Sequence, residues 1–290
     1  MKSNNKIYYI IALIVGLASF NQVNAQQNNE LSIFAKGTIS TLKYDLEGAT
    51  TIQGDGGAIG ISYSRYLSSN ISIITGGSIQ YYESGANFHT LSDSYTTTDL
   101  EGETFEFRYV AMNYVEQQRA YYANIPLQIQ FETTGTGTRF YATVGAQAGF
   151  MLSAKYDGYY RSLRTSGFYQ QYNAELFNPA FMGFVNQNNQ DITEGDLQLK
   201  TAFSTIFEAG IKQVLTPKNS VYLGIYLDYG LNNINKIEKD QNLIDYRTEE
   251  PDTFTFNSVF TSCNQNNSTA YLNDIKPVSY GVKLRYGFDW

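Results

Sequence analysis

Alternation of apolar residues with small or polar residues, at a period of two, is the dominant pattern of this 290-residue chain. In the clearest segment, at the C-terminus, one set of alternate positions holds Tyr280, Val282, Leu284, Tyr286, Phe288 and Trp290. The positions between them hold Gly281, Lys283, Arg285, Gly287 and Asp289. A helix would distribute both sets around its axis, whereas a strand places them on opposite faces. The pattern therefore predicts a β-strand with one apolar face.

Seven further segments alternate in the same way, and each segment has about ten residues or more, the length of a tilted strand that crosses a bilayer. The eight segments begin near Leu31, Gly57, Ile71, Tyr121, Phe140, Leu197, Val221 and Tyr280. Pro126 lies inside one of them and cannot donate a ladder hydrogen bond. We therefore predict eight strands, with a bulge or locally broken pairing at Pro126.

The connections between these segments alternate between short and long. The short ones, at 68–70, 133–139 and 216–220, are rich in Gly, Pro, Ser, Thr and Asn, which is typical of turns. The long ones lie at about 43–56, 85–118, 156–196 and 232–276. Strict alternation of this kind predicts an up-and-down barrel with tight periplasmic turns at one rim and extracellular loops at the other.

Side-chain size and charge predict which face of the strands points outward. The small-residue face also carries charges at mid-strand positions: Lys36, Glu208, Lys212, Asp228, Lys283 and Arg285. A Lys or Arg facing lipid at the bilayer midplane would cost about 2–4 kcal/mol, and eight strands leave little interior space for bulky side chains. We therefore predict an all-β fold, an eight-stranded antiparallel up-and-down transmembrane β-barrel with the apolar face toward lipid.

Aromatic residues near the strand ends support that orientation, since aromatic girdles mark membrane interfaces. One group, at the short-turn rim, contains Phe131, Phe140, Phe288 and Trp290. The other contains Tyr81, Tyr121, Phe203, Tyr229 and Tyr280. The C-terminal aromatic residues Tyr286, Phe288 and Trp290 are also the expected signal for the barrel-insertion machinery.

The first 25 residues have the pattern of a signal peptide. Lys2 and Lys6 precede an uncharged, mostly apolar run at 7–20, and Val23 and Ala25 are small residues at the −3 and −1 positions of a cleavage site. We predict Sec-dependent export, cleavage near Ala25 and an outer-membrane location for a barrel domain at 26–290.

Two neighbouring strands carry a family resemblance. The segment Tyr121-Tyr122-Ala123-Asn124-Ile125-Pro126-Leu127 resembles the aromatic-x-x-Ile-Pro-Leu strand of the outer-membrane β-barrel family that is widespread in Bacteroidetes. The following strand, 139–150, resembles that family's Gly-rich strand after an aromatic-Tyr pair. Members of the family include the PorT component of type IX secretion, so the resemblance implies a barrel fold and, as one alternative, a secretion-associated role.

Composition excludes several classes of function. The net charge of −7 gives no support for nucleic-acid binding, which needs a basic surface. A single cysteine, Cys263, excludes an internal disulfide framework and multi-cysteine metal sites. The single histidine, His89, could act as a base for Ser92 only if something fixed its orientation, and a polar loop histidine is the plainer interpretation. We predict no catalytic residue, cofactor or metal.

The remaining candidate residues concern the lumen and the long connections. We expect Glu208 and Asp228 to neutralise Lys36, Lys283 and Arg285 inside the barrel, with an ion path as the alternative. The long connections hold 21 acidic and 8 basic residues and contain tyrosines suited to recognition. The candidate recognition residues are Tyr159, Tyr160, Tyr169 and Tyr172, and these could equally pack the connections together.

The sequence therefore favours a non-enzymatic outer-membrane protein with a structural or surface-interaction role. Expected partners are outer-membrane lipid and lipopolysaccharide, the insertion machinery and an unidentified surface or secretion protein. A narrow channel and a lipid-A-modifying enzyme are less favoured functions that the sequence leaves open.

Overall fold

The structure is a computed structural model, and it describes residues 29–46, 48–236, 241–266, 269–272 and 274–289. The predicted signal peptide and Trp290 lie outside the described residues. Within them the chain is almost entirely β-strand, with two single-turn 3-10 helices at Gln170–Tyr172 and Ala180–Met182. None of the described helices has the length and apolarity to cross a membrane.

Fifteen strands are formed by the described residues. In chain order they are β1 (Asn29–Lys43), β2 (Ala49–Gln53), β3 (Asp55–Tyr66), β4 (Ile71–Thr98), β5 (Thr104–Glu132), β6 (Thr138–Tyr169), β7 (Ala174–Leu176), β8 (Asn186–Asp196), β9 (Ala202–Thr216), β10 (Asn219–Gly230), β11 (Ile244–Tyr246), β12 (Phe254–Phe256), β13 (Cys263–Asn264), β14 (Thr269–Ala270) and β15 (Lys276–Asp289).

Eight of these strands form a closed ring in which every neighbouring pair is antiparallel. The order around the ring is β1, β3, β4, β5, β6, β9, β10 and β15, and β15 pairs with β1 over its full length. Closure leaves neither an unpaired first strand nor an unpaired last strand, so the ring has no free sheet edge. The predicted eight-stranded up-and-down topology is confirmed.

The apolar residues of the ring point outward, as predicted. Ile225 is 69% exposed and Leu127 is 61% exposed, whereas Arg285 is 1% exposed. We call the outward apolar residues of the ring the belt, which includes Ile33, Ile59, Ile79, Ile125, Leu127, Val144, Phe207, Leu223, Ile225, Val282 and Leu284. The described members of both predicted aromatic groups lie at its margins, and Phe140, Phe131, Tyr121 and Phe203 are among their exposed members.

The pairing around Pro126 is broken, as the sequence predicts. The β4–β5 ladder pairs Thr75 with Leu127 and Ser78 with Asn124, but the residues between them are unpaired. One of the backbone groups that this gap leaves without a ladder partner is the carbonyl of Pro126. It accepts a hydrogen bond of 2.9 Å from the Thr75 hydroxyl instead. On its other side, Pro126 keeps its place in the ladder with β6, opposite Gln147.

Three ring strands continue far beyond the belt, which the sequence pattern does not predict. β4, β5 and β6 contain 28, 29 and 32 residues, about three times the ~10 residues that a crossing strand needs. The segment 85–118, interpreted above as a loop, is a β-hairpin whose turn lies at 99–103. Much of 156–196 is also strand, since β8 pairs with the extension of β6.

A line of irregularities crosses this extended sheet. Asn113 (φ 48°) and Asn189 (φ 54°) adopt left-handed backbone, and the ladders skip Asn113, Arg161 and Asn189 while pairing the residues on either side. Asparagine tolerates this conformation better than other residues with a Cβ atom. Each irregularity shifts the alternation by one position, so that Tyr114 on one side and Ala111 on the other both face the buried side.

The described parts of the longest connection, 231–275, pack on the buried side of the extended sheet. Leu243, Ile244 and Val259 are fully buried there, and the rings of Phe260 and Tyr44 meet edge-on at 4.9 Å. We call the described parts of 44–53, 82–120, 154–200 and 231–275 the cap. The cap has an apolar core of its own, stacked on the open end of the ring.

The left-handed backbone at Asn113 generates a testable prediction. Asn113→Val should destabilise the cap by about 1–2 kcal/mol, because a branched side chain clashes in this conformation, whereas Asn113→Gly should leave the cap close to wild type. Amide hydrogen exchange across 105–116 measures the difference. The control is Met112→Val, at the exposed neighbouring position; equal effects of the two valine variants would contradict the assignment.

Candidate functional site

The ring interior is filled by charged and aromatic side chains from all sides. Lys283 Nζ lies 2.7 Å from Glu208 Oε2, and Lys36 forms an ion pair with Asp228. These side chains are no more than 8% exposed. The pairs span β15 to β9 and β1 to β10, so each ties together strands that are not ladder neighbours. The sequence analysis expected Glu208 and Asp228 to neutralise Lys36, Lys283 and Arg285.

Arg285 differs from that expectation, because it forms no ion pair with a carboxylate among the described residues. Its Nη2 donates a hydrogen bond of 2.6 Å to Gln130 Oε1, and its guanidinium lies 3.6 Å from the ring centroid of Tyr222. Stacking on an aromatic face suits the planar, weakly hydrated guanidinium. Arg285 is therefore held by an amide and an aromatic ring rather than by Glu208 or Asp228.

A third cluster at the short-turn end was not among the predicted site residues. Lys212 Nζ lies 3.2 Å from Glu132 Oε1 and 3.6 Å from Glu30 Oε2. Tyr222 donates a hydrogen bond to Glu30, and Tyr66 donates one of 2.8 Å to Glu132. Glu30 and Glu132 lie at strand ends, where a charge is usually solvated, so the sequence alone gave no reason to place them inside.

Side chains are closely packed in the middle of the ring. An interior cavity there has a volume of about 20 Å³ and is bordered by Lys36, Glu208 and Tyr226. A single water molecule needs about as much room. The described residues also contain no cluster of His, Cys, Asp and Glu suited to a metal ion. Chemically, the interior is a network of ion pairs and hydrogen bonds, in which Arg285 Nε and Asp228 Oδ1 have no hydrogen-bond partner among the described residues.

The cap places the predicted recognition tyrosines in two groups. Tyr160 and Tyr169 are only 2% and 4% exposed, so they are core residues and not recognition residues. Tyr160 stacks on Phe256, and Tyr169 stacks on Phe105 and donates a hydrogen bond of 2.9 Å to Asp99. Their rings face inward because the cap, which the sequence pattern does not predict, needs an apolar core.

The other two tyrosines are accessible. Tyr172 is 62% exposed, and its hydroxyl donates a hydrogen bond of 2.7 Å to Glu103. Tyr159 is half-buried and bonds Asn189 at 2.7 Å. Only Tyr172 presents most of its ring surface to a partner.

His89 and Ser92 show no catalytic arrangement. Both lie on the exposed side of β4, and no hydrogen bond of the His89 ring to a described residue is found. Asp93 points to the buried side, where its carboxylate accepts the backbone N–H groups of Gln265 and Asn266. The carboxylate is thus used to hold a turn, and nothing orients the imidazole as a base.

The predicted C-terminal signal is described in part. Tyr286 is half-buried, Phe288 is 44% exposed, and their rings meet at 4.8 Å on the outside of the ring. Trp290 lies outside the described residues.

The junction between the ring and the cap contains a buried carboxyl group, Glu116. Ser258 donates a hydrogen bond to it, as do the Val259 backbone N–H at 3.0 Å and Gln118 Nε2 at 2.9 Å. Burial raises the pKa of Glu116 to about 7, and these hydrogen bonds act in the opposite direction. The segment 258–259 is therefore attached to the extended sheet through a group that titrates near neutral pH.

Comparisons with known proteins give only distant likenesses. Neither a protein-family model nor a curated protein matches the chain. The Yersinia pestis attachment invasion locus protein Ail, solved with the heparin analogue sucrose octasulfate, is 10% identical over 92% of this chain and 100% of that chain, with a TM-score of 0.32. OprG from Pseudomonas aeruginosa is 9% identical over 93% of this chain and 99% of the OprG chain, with a TM-score of 0.35.

A major outer membrane protein from Thermus thermophilus is 10% identical over 90% of this chain and 99% of that chain, with a TM-score of 0.35. Scores and identities this low carry no argument about family or function. The resemblance to the Bacteroidetes family stays a hypothesis.

The Glu208–Lys283 pair generates a prediction about the interior. Glu208→Gln should cost about 3–5 kcal/mol in the free energy of unfolding, because it leaves a buried ammonium group without its partner. The double variant Glu208→Gln/Lys283→Met should recover most of the loss, because no unpaired charge remains. Urea unfolding of the folded protein measures both. Equal stability of wild type and Glu208→Gln would contradict an energetic role for the pair.

A second prediction follows from Glu116. Because its pKa is raised from 4.5 to about 7 in the folded cap, the folded state binds the proton more tightly than the undocked state. Attachment of 258–259 should therefore be strongest below about pH 4.5 and should weaken as the pH rises toward 7. Hydrogen exchange of the Val259 amide, corrected for its intrinsic pH dependence, measures this attachment.

Glu116→Gln should remove that pH dependence. Asp191→Asn is the matched control, because Asp191 is an exposed carboxyl of the same sheet. Protection at 258–259 that does not change between pH 5 and pH 8 in the wild type would contradict the role of Glu116.

Proposed function

We propose that this protein is a non-enzymatic outer-membrane protein in which the ring is a closed membrane anchor and the cap is a surface-exposed interaction module. The observation that carries the proposal is the belt, a continuous band of exposed apolar side chains around a ring with a charged interior. Water would solvate such a band poorly, whereas acyl chains match it, and a closed ring leaves no unpaired strand edge in lipid.

The filled interior supports an anchor rather than a channel. The clusters around Glu208, Asp228 and Glu132 occupy the ring interior, and the cavity beside Glu208 and Asp228 has a volume of only about 20 Å³. An ion would have to displace paired charges to pass. This favours a structural role for Lys36, Lys283 and Arg285 over the ion path considered above.

The cap supports an interaction role. Strands far longer than a bilayer requires carry a folded module with its own apolar core away from the belt. Outer-membrane lipid and lipopolysaccharide would surround the ring, and Tyr286 and Phe288 would serve insertion. A secretion-associated function of the type IX kind is the alternative, and its support is the resemblance of segments 121–127 and 139–150 to the Bacteroidetes family.

The proposal predicts that charge is tolerated outside the belt and not within it. Ile225→Arg should destabilise the protein in phospholipid vesicles by about 2–4 kcal/mol, because the guanidinium must be placed in hydrocarbon. Met112→Arg, at an exposed apolar position of the cap, is the matched control and should stay within about 0.5 kcal/mol of wild type. Urea unfolding of vesicle-inserted protein measures both.

Two outcomes would contradict the proposal. The first is a monodisperse, folded protein in buffer without detergent or lipid, since the belt would then have no hydrocarbon to match. The second is stepwise conductance of the wild-type protein in a planar bilayer, since the ion-paired interior would then conduct.

A further inference from the structure

An open cleft of about 480 Å³ lies at the tip of the cap, beside the turn that joins β4 to β5. We propose that this cleft binds a basic peptide segment that carries an apolar or aromatic side chain. The inference rests on the surface role proposed above and names the partner class. Its ring-distal position means that the ligand approaches from the aqueous side and not from the belt.

The cleft has apolar walls that are exposed in the free protein. Phe181 is 74% exposed, Leu100 is 64% exposed and Tyr172 is 62% exposed. The floor is formed by the buried rings of Tyr169 and Tyr246. Large apolar side chains arranged around an opening of this size are typical of binding sites. Exposing them to water is unfavourable for the free protein, and a bound ligand would remove them from water.

One lip of the cleft is acidic. Asp99, Glu101 and Glu103 line it, and no basic residue lines it among the described residues. Asp99 is used internally, since its carboxylate accepts the backbone N–H groups of Glu101 and Glu103 and the hydroxyl of Tyr169. No described side chain donates to the carboxylate of Glu101. One free carboxylate and the second oxygen of Glu103 therefore face a ligand.

The acidic lip and the apolar walls together define the ligand. A cationic group would meet Glu101 and Glu103, and an adjacent apolar side chain would lie against Phe181 and Tyr172. An anionic sugar or a phosphate would be repelled, and a neutral apolar molecule would leave the lip unused. Arg or Lys next to Phe or Leu in one peptide satisfies both requirements.

The turn that carries Phe181 lies directly against the 246–251 segment. Gly183 ends the Ala180–Met182 turn with φ 79°, and a Cβ atom there would lie 2.3 Å from the carbonyl oxygen of Pro251. A side chain at position 183 would therefore separate this wall of the cleft from that segment.

The test uses the full-length protein in phosphatidylcholine nanodiscs and the labelled peptide acetyl-Arg-Phe-Arg-Leu-Arg-amide, measured by fluorescence anisotropy against empty nanodiscs. Wild-type protein should bind this peptide, and binding should weaken as salt is raised. Replacing each Arg of the peptide by citrulline, or Phe and Leu by Ser, should weaken binding about tenfold, because each change removes one of the two kinds of contact.

Variants of the cleft should act in the same way. Glu101→Gln/Glu103→Gln should weaken binding about tenfold, and the amide oxygen introduced at position 103 would keep an acceptor for Tyr172. Phe181→Ser and Leu100→Ser should also weaken it, and both positions are exposed, so folding is preserved. Asp191→Asn/Asp196→Asn, on exposed positions of β8, is the matched control and should bind like wild type.

Three results would overturn the inference: no binding above empty nanodiscs, equal binding of the citrulline peptide, or equal weakening by the β8 control. None of them would affect the anchor proposal, because the urea unfolding of Ile225→Arg in vesicles is independent of the cleft. Conversely, a protein that folds without lipid would defeat the anchor proposal while peptide binding could still be measured.

Discussion

Closure of the backbone ladder is the constraint on which the rest of the structure depends. A strand that faces hydrocarbon has no water to satisfy its N–H and C=O groups, so every ring strand needs a partner on both sides. The β1–β15 and β4–β5 pairings provide this by joining the ends of the sheet. Once the ring closes at eight strands, the interior is narrow, and in the proposed membrane setting the outward side chains match lipid. Both the belt and the paired charges follow from that geometry.

The narrow interior explains why paired charges are a suitable filling. If both faces of the ring strands were apolar, neither face would be preferred inside the ring. Ionic groups are strongly disfavoured in lipid, so they determine which face of the sheet points inward. Lys36 and Lys283 each meet a carboxylate from the next strand but one, so each pair links two strands that share no ladder. Such pairs contribute modestly to stability, yet breaking one is costly. Their main effect here is to specify which face points inward.

The ring could be predicted from the sequence, and the cap could not, for a physical reason. Within the belt a regular period of two separates large apolar residues from small or charged ones, which is why Pro126, Lys36 and Lys283 were placed correctly. In the cap the left-handed residues Asn113 and Asn189 shift that alternation, so the pattern looks irregular although the strands continue. The burial of Tyr160 and Tyr169 depends on the 231–275 connection folding back against them, and no local pattern reports a contact of that range. The sequence indicated that the 85–118 segment is acidic, but it did not indicate that these acidic residues border a cleft.

Strand length connects the two halves of the molecule. From Tyr121 at the margin of the belt, β5 runs 17 residues further to Thr104, about 55 Å of strand. A hairpin of this length would be unstable alone, because a two-stranded ribbon buries little apolar surface. It is stabilised by β6, by β8 and by the 231–275 connection, which Glu116 attaches near the base. The energetic requirement of a long hairpin thus produces a folded cap, and in the proposed membrane setting the cap would hold the cleft well beyond the lipid headgroups, within reach of a soluble partner.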